Sequence, residues 1–324
     1  MKQRTTAYYN AYSGVYQERR LPRSTQFVAG VYVLVVGLSL LLINQGVRAN
    51  WGRPIAVNQP AQTRLVANTK PLLATDPPGV STSPAARSDQ LTAETSTMSL
   101  YGEAVDQAIS QNQATSWSVD IYDLDNHVNL YQRNADQPMI TASLYKLYAA
   151  YGLAQKLPFG QWGDVKVGGK DVRTCVDLMI RVSDNPCGDA IGGYVGWKYI
   201  DNQIHAAGFT GTNLNDGGGP TTTAADTTRL MTALTEGRLF DADTTAFLLS
   251  SLSRQSYRSG IPAGCSDCTL FNKTGNNSKV THDTAIIEFG GRRSVVTIMS
   301  EGGSYGKIAN VMRAIQTVMA TPSP

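Results

Sequence analysis

Residues 27–44 read FVAGVYVLVVGLSLLLIN, eighteen residues without a charge, and no other feature limits the architecture of the chain as much. As a helix rising about 1.5 Å per residue, the run would be roughly 27 Å long, close to the hydrocarbon thickness of a bilayer. Lys2, Arg4, Arg19, Arg20 and Arg23 precede it, against Arg48 and Arg53 just after it. The positive-inside bias then keeps residues 1–26 in the cytoplasm as a short tail and exports everything that follows. A cleaved signal peptide is the rival, with Val47 and Ala49 as a small-residue cleavage pattern. The length of the apolar run and of the basic leader favours an uncleaved anchor over 27–44. The expectation is a single-pass cell-membrane protein with its C-terminal mass outside.

Residues 45–97 are rich in Pro, Thr, Ser, Ala and Gln and contain the breaker Asp76-Pro77-Pro78-Gly79. Neither a period of 2 nor one of 3.6 is sustained there, so the stretch reads as a flexible stalk. The remaining residues, 98–324, have the length of one folded domain and show no internal repeat. With 42% hydrophobic and 16% charged residues, the chain can fill a sizeable core. Its net charge of +3, without a basic run interleaved with aromatics, points away from a nucleic-acid partner.

Cys175, Cys187, Cys265 and Cys268 all lie in the part expected outside the cell, where thiols oxidise. The pairing expected is Cys175 with Cys187 and Cys265 with Cys268. Cys265-Ser-Asp-Cys268 is also half of a zinc or redox pattern. A zinc site needs two more soft ligands, and His127, His205 and His282 are scattered, so neither a metal nor another cofactor is expected.

Periodicity places a helix over 99–113, then a hairpin of 116–124 and 128–132 around Asp125-Asn126. A helix over 143–157 is opened by Ser143, and further helices fall near 172–182, 189–207 and 224–234. The β-branched runs 269–273, 283–289 and 294–300 read as strands, and 305–320 as a closing helix. Strands at both ends with helices between them give an α+β fold. In it an antiparallel sheet is flanked by helices, a helical region is inserted, and one transmembrane helix precedes the whole.

Three short motifs stand on these elements: Ser143-Leu-Tyr-Lys146, Ser183-Asp184-Asn185 and Lys273-Thr274-Gly275. Serine is a poor nucleophile until a base takes its proton, and a lysine three residues on lies on the same helical face. To act as that base Lys146 must be neutral. The positive end of the helix dipole and a second ammonium, Lys273, both push its pKa down.

Together the motifs resemble the S-x-x-K, S-D-N and K-T-G set of class A β-lactamases and penicillin-binding proteins. The likeness extends through Pro138-Met139, Val172-Arg173, Gly208-Phe209-Thr210-Gly211, Thr221-Thr222-Thr223 and Gly260-Ile261-Pro262-Ala263-Gly264. It thereby covers most of 98–320. The resemblance implies a transpeptidase-like fold and a serine acyl hydrolase of β-lactams or of the D-alanyl peptides of peptidoglycan. It makes Ser143 the nucleophile, Lys146 its base and Ser183 the donor to the departing nitrogen. Asn185 would hold the substrate's amide carbonyl, Lys273 and Thr274 its carboxylate, and the backbone amides of Ser143 and Asn276 the oxyanion, with Gly275 between them in the same strand. Asp184 would brace its loop.

Two departures from that pattern bear on turnover and on the substrate's carboxylate. Class A enzymes carry a loop glutamate that drives hydrolysis of the acyl-enzyme. Here the corresponding stretch, Gly211-Thr-Asn-Leu-Asn215-Asp216-Gly-Gly-Gly-Pro220, runs directly into Thr221 with no glutamate. Asp216 is the nearest substitute and is one methylene shorter, so deacylation is expected to be slow. The strand after K-T-G has Thr281, His282 and Thr284 where many relatives place a basic residue; His282 reads as a packed residue or as a partial replacement. The competing expectation is a penicillin-binding module that is acylated without turnover and serves as a sensor or sequestering protein. A tail of 1–26 leaves such a sensor no cytoplasmic signalling domain.

Overall fold

The strand-forming runs at the two ends of the folded region meet in one five-stranded antiparallel sheet. The structure is a computed structural model that describes residues 6–10, 15–19, 84–215 and 217–321. The expected membrane span at 27–44 and Asp216 lie outside the described residues. Among the described residues no helix is long and apolar enough to cross a membrane. Within the tail, β1 (Thr6–Asn10) and β2 (Val15–Arg19) form an antiparallel hairpin with Thr6 opposite Arg19.

The folded domain begins with α1 (Pro84–Gln111), a helix that starts at Pro84 rather than at 99. Residues 84–97, expected in the stalk, are therefore helical. Proline suits a first helical turn, and Ala, Gln, Leu and Glu follow it, so local propensity outweighs the Ser and Thr content that suggested a linker. Next come β3 (Ser116–Asp123) and β4 (Val128–Arg133), the expected hairpin. From the other end of the chain come β9 (Thr269–Asn276), β10 (Val280–Phe289) and β11 (Arg292–Glu301). The sheet order β4-β3-β11-β10-β9 places β11 in the centre, so the last strand joins the first hairpin to the rest.

Alternation along these strands separates two cores. Val296 and Ile298, with Ile121 and Val119 opposite them on β3, face a layer made by α1 and α9 (Tyr305–Met319), where Val105, Ile308, Val311 and Ile315 are buried. Val295, Met299 and Ile286 point the other way, into the helical insertion. On that face the hydroxyls of Thr228, Thr284 and Thr297 hydrogen-bond in a buried chain at 2.8 Å.

The insertion carries the site. It opens with β5 (Met139–Ile140), a 3₁₀ turn at Ala142–Leu144 and α2 (Tyr145–Lys156). After the short pair β6 (Lys166–Val167) and β7 (Lys170–Asp171) come α3 (Val172–Arg181), α4 (Asn185–Val195) and α5 (Trp197–Ala206). The single helix expected over 189–207 is thus two helices, broken at Gly196 with φ 93°, and the first begins four residues earlier than expected. Asp184 caps α4 by accepting the Cys187 N–H, and Pro186 fills its first turn. Then follow β8 (Thr221–Thr222), α6 (Ala224–Thr235), α7 (Ala242–Ser253) and the short α8 (Ile261–Gly264).

One carboxylate fixes the connection between α5 and β8. Asp226 is buried on α6 and accepts hydrogen bonds from the Gly211 amide and the Thr212 hydroxyl, both at 2.9 Å, while Arg229 pairs with its other oxygen at 3.0 Å. Asn213 and Thr221 then exchange backbone hydrogen bonds, and β8 pairs with β5 just before the Ser143 turn. Asp226→Ala strands two buried donors and a guanidinium. It should lower the unfolding free energy by about 3 kcal/mol, read from the midpoint of urea unfolding, with Asp226→Asn losing less.

Candidate active site

The 3₁₀ turn bearing Ser143 is entered through Ala142, whose φ of 42° is in the left-handed region that L residues rarely occupy. Leu144 and Tyr145 are buried on either side of the turn's exit and hold it against the core. This fixes where Ser143 stands at the head of α2. Lys146, in the first turn of that helix, is completely buried. Its Nζ donates to Ser143 Oγ at 2.8 Å, to Asn185 Oδ1 at 2.6 Å and to the Ser183 carbonyl at 3.0 Å, with Ser183 Oγ at 3.4 Å. All four acceptors are neutral. Burial lowers the Lys146 pKa to about 8, against the upward pull of Asp189 and Asp184.

Ser183 and Asn185 reach Lys146 from the turn between α3 and α4. Ser183 also has a left-handed backbone, φ 57°, so a second non-glycine residue at this site is held in a costly conformation. The turn is fastened from three directions. The Asp184 amide donates to Leu178 O, the Asp184 side chain caps α4, and the Cys175–Cys187 disulfide ties α3 to α4 across it. A second disulfide joins Cys265 to Cys268 in the approach to β9. Gly188 lets α4 lie against the lysine stem: a methyl group there would stand 2.8 Å from Lys146 Cε and 2.6 Å from the Tyr145 hydroxyl.

Lys273 arrives on β9, also completely buried. Its Nζ donates to Ser183 Oγ at 2.9 Å and to Thr274 O at 2.7 Å. Burial lowers its pKa well below the ordinary lysine value, and the nearby Lys146 adds to the effect. Ser143, Lys146, Ser183 and Lys273 thus form a continuous hydrogen-bonded chain of hydroxyls and amines, with Asn185 on its flank. Gly275, the next residue but one, packs against the Ser143 turn: its Cβ position lies 3.0 Å from Thr141 O and 3.1 Å from the Leu144 nitrogen. Thr274 is buried beside it, and Asn276, exposed at the end of β9, accepts from the Tyr305 hydroxyl at 3.1 Å.

His282 is a packing residue. The Ser300 amide donates to its Nδ1 at 3.3 Å, so Nε2 carries the hydrogen and donates to Ile140 O at 2.8 Å. Complete burial lowers its pKa to about 4. It is therefore neutral, and it clamps β10 to β5 beneath the Ser143 turn instead of presenting a cation. The connection read as lacking a glutamate is short and pinned, the amides of Leu214 and Asn215 both donating to the Asp201 carboxylate. Among the described residues no group of three or more His, Cys, Asp or Glu side chains could hold a metal ion.

Three residues at the site carry no signal in the motifs. Tyr145 donates its hydroxyl to Asp189 Oδ1 at 3.1 Å, and Tyr305 reaches Asn276 from the far end of the chain. Asp189 stands one helical turn after Asn185, a spacing that can be read only when α4 is known to begin at Asn185.

Residues 160–319 match the model of the beta-lactamase enzyme family. That span includes Ser183, Asn185 and Lys273 and begins after Lys146. Solved structures extend the likeness over the whole folded domain. A beta-lactamase from Chitinophaga pinensis is 14% identical with a TM-score of 0.62, covering 68% of this chain and 99% of its own. PBP-A is 20% identical with a TM-score of 0.59, covering 68% of this chain and 96% of its own. A beta lactamase from Xanthomonas campestris is 15% identical with a TM-score of 0.63, covering 69% and 99%. No curated protein sequence matches the chain. At such identities the structures speak for the fold alone: the folded domain has the fold shared by class A beta-lactamases and PBP-A, and its residues 160–319 are similar to the beta-lactamase enzyme family.

Proposed function

We propose that this chain is an acyl-transfer hydrolase in which Ser143 attacks the amide of a β-lactam or of a D-Ala-D-Ala peptide and forms an acyl-enzyme that is slow to hydrolyse. The observation that carries the reading is the buried Lys146 amine, 2.8 Å from Ser143 Oγ and surrounded by neutral acceptors. An amine with a pKa lowered to about 8 is a usable base near neutral pH, where an exposed lysine is not. It takes the Ser143 proton as Oγ attacks the carbonyl carbon. Ser183, between the two lysines, delivers a proton to the departing nitrogen and is resupplied through the same chain. The backbone amides of Ser143 and Asn276 receive the developing oxyanion, a role for preorganised donors. Asn185 holds the substrate's amide carbonyl, and Thr274 with Lys273 receives its carboxylate.

A structure of a single-substitution mutant of PBP-A is an acyl-enzyme complex with penicillin G, which supports a β-lactam as an acylating ligand here as well. The short connection pinned by Asp201 supports slow release of the acyl group. It also supports the second reading, a module that is acylated and then retained as a sensor or sequestering protein. The folded domain would work outside the cell, on a single-pass anchor at 27–44.

Six measurements test this. Penicillin G should add its mass to the peptide containing Ser143, and Ser143→Ala should abolish the adduct; an unmodified wild type at millimolar drug would refute the nucleophile. The wild-type acylation rate should rise with pH and level off above about 8, because the base is the neutral form of Lys146. Lys146→Met should lose about 10²–10⁴-fold in that rate.

Gly188→Ala pushes a methyl into Lys146 Cε, and acylation should fall by at least about tenfold with little change in melting temperature. Release of D-alanine from a D-Ala-D-Ala peptide would make the substrate a cell-wall peptide, whereas a lasting adduct without any turnover would favour the sensor. The anchor predicts that the full-length protein stays in the membrane fraction after an alkaline wash with Met1 intact; a soluble form beginning near Asn50 would mean a cleaved signal.

A further inference from the structure

The short connection supplies no base for the second half-reaction among its described residues, whereas α4 carries a carboxylate near the site. Asn185 and Asp189 are four residues apart on that helix, so their side chains stack on one face. Asn185 Oδ1 takes the Lys146 amine at 2.6 Å, and Asp189 Oδ1 takes the Tyr145 hydroxyl at 3.1 Å. Both acceptors thus hold consecutive residues of α2. Between them, Gly188 leaves no room for a side chain, since a methyl group there would meet Lys146 Cε and the Tyr145 hydroxyl. Asp189 is therefore held by Tyr145, the neighbour of the lysine that serves the nucleophile, near enough for the two charges to interact, and its residue is exposed, so water has access to the carboxylate.

The other nearby carboxylates are committed. Asp184 caps α4 through its Oδ1, and Asp201 holds the amides of Leu214 and Asn215. The groups that act on Asp189 are the Tyr145 hydroxyl and the Lys146 amine from α2 and Asp184 from its own helix. Burial raises its pKa above the ordinary aspartate value, against the opposing pull of Tyr145 and Lys146.

We propose that Asp189 is a further catalytic residue of this chain, the base that activates the water for hydrolysis of the Ser143 acyl-enzyme. The inference rests on the acyl-transfer reading above. In the step, the water oxygen bonds to the acyl carbon while one of its protons passes to the Asp189 carboxylate. The tetrahedral adduct then collapses, the bond from the acyl carbon to Ser143 Oγ breaks, and Oγ takes back, through solvent, the proton held by Asp189. The acid product leaves, with Asp189 again a carboxylate and Lys146 still neutral for the next acylation.

The test uses the full-length chain acylated with penicillin G, freed of excess drug and followed by intact mass. Asp189→Asn keeps an oxygen for the Tyr145 hydroxyl while removing the base, and its adduct should outlive the wild-type adduct by about 10²–10⁴-fold. Tyr145→Phe, which releases the carboxylate from its orienting bond, should prolong the adduct by a smaller factor. Asp216→Asn should leave the lifetime as in wild type. An unchanged lifetime in Asp189→Asn, or a lengthening in Asp216→Asn instead, would overturn the proposal. So would an Asp189→Asn chain that no longer acylates, because the carboxylate would then serve the first half-reaction. A wild type that takes no adduct is a different result, and it would sink the Ser143 reading itself.

Discussion

The burial of one amine organises this molecule. Lys146 has no solvent exposure and no carboxylate bonded to it, so its ammonium form lacks hydration and has only the unbonded Asp189 and Asp184 as counter-charges. The cost of burying a charge is met by a shift in pKa, and the shift makes the group a base. Holding the amine there takes elements from three parts of the insertion: the turn and helix that carry Ser143, the turn before α4, and α4 itself. Two of these are entered through non-glycine residues at φ 42° and 57°. Such conformations cost on the order of 1–3 kcal/mol each and persist only where the surroundings overdetermine them. The buried side chains of Leu144 and Tyr145 and the Cys175–Cys187 cross-link supply that constraint.

Lys273 meets the same constraint from the sheet. Its amine bonds to the hydroxyl of Ser183, so the two lysines share one neighbour and the charge of Lys146 disfavours that of Lys273. The sheet must therefore be held in tight register with the helical insertion. The close approach of Gly275 to the Ser143 turn and the clamp from His282 to Ile140 provide that registration.

The sequence announced this arrangement unevenly. The three motifs and the strands of β9, β10 and β11 were readable because a two-residue alternation and an S-x-x-K spacing are local signals. The fold class followed from the order of those elements. The start of α4 is harder to read, because Asp184, Asn185 and Pro186, a cap followed by a first-turn proline, overlap the S-D-N motif and have a structural task beside a chemical one. Without that start, the stacking of Asp189 on Asn185 has no sequence signal. Tyr305 and His282 were beyond reach for another reason: their partners, Asn276 and Ile140, lie far away in sequence, and contacts of that kind are created by the sheet order.

The sheet order also governs how such a chain acquires its structure. β11 is the central strand, and it is the last to be synthesised, so β3 and β4 have no sheet to join until residues 292–301 have emerged. The whole helical insertion lies between the two halves and must be closed as a loop before the central pairing forms. Long-range pairings of this kind make folding slow and leave strand edges open during the wait. As the chain is synthesised from its N-terminus, β3 spends that interval without its second neighbour, and Ser143 and Lys146 exist as sequence neighbours well before Lys273 completes the site.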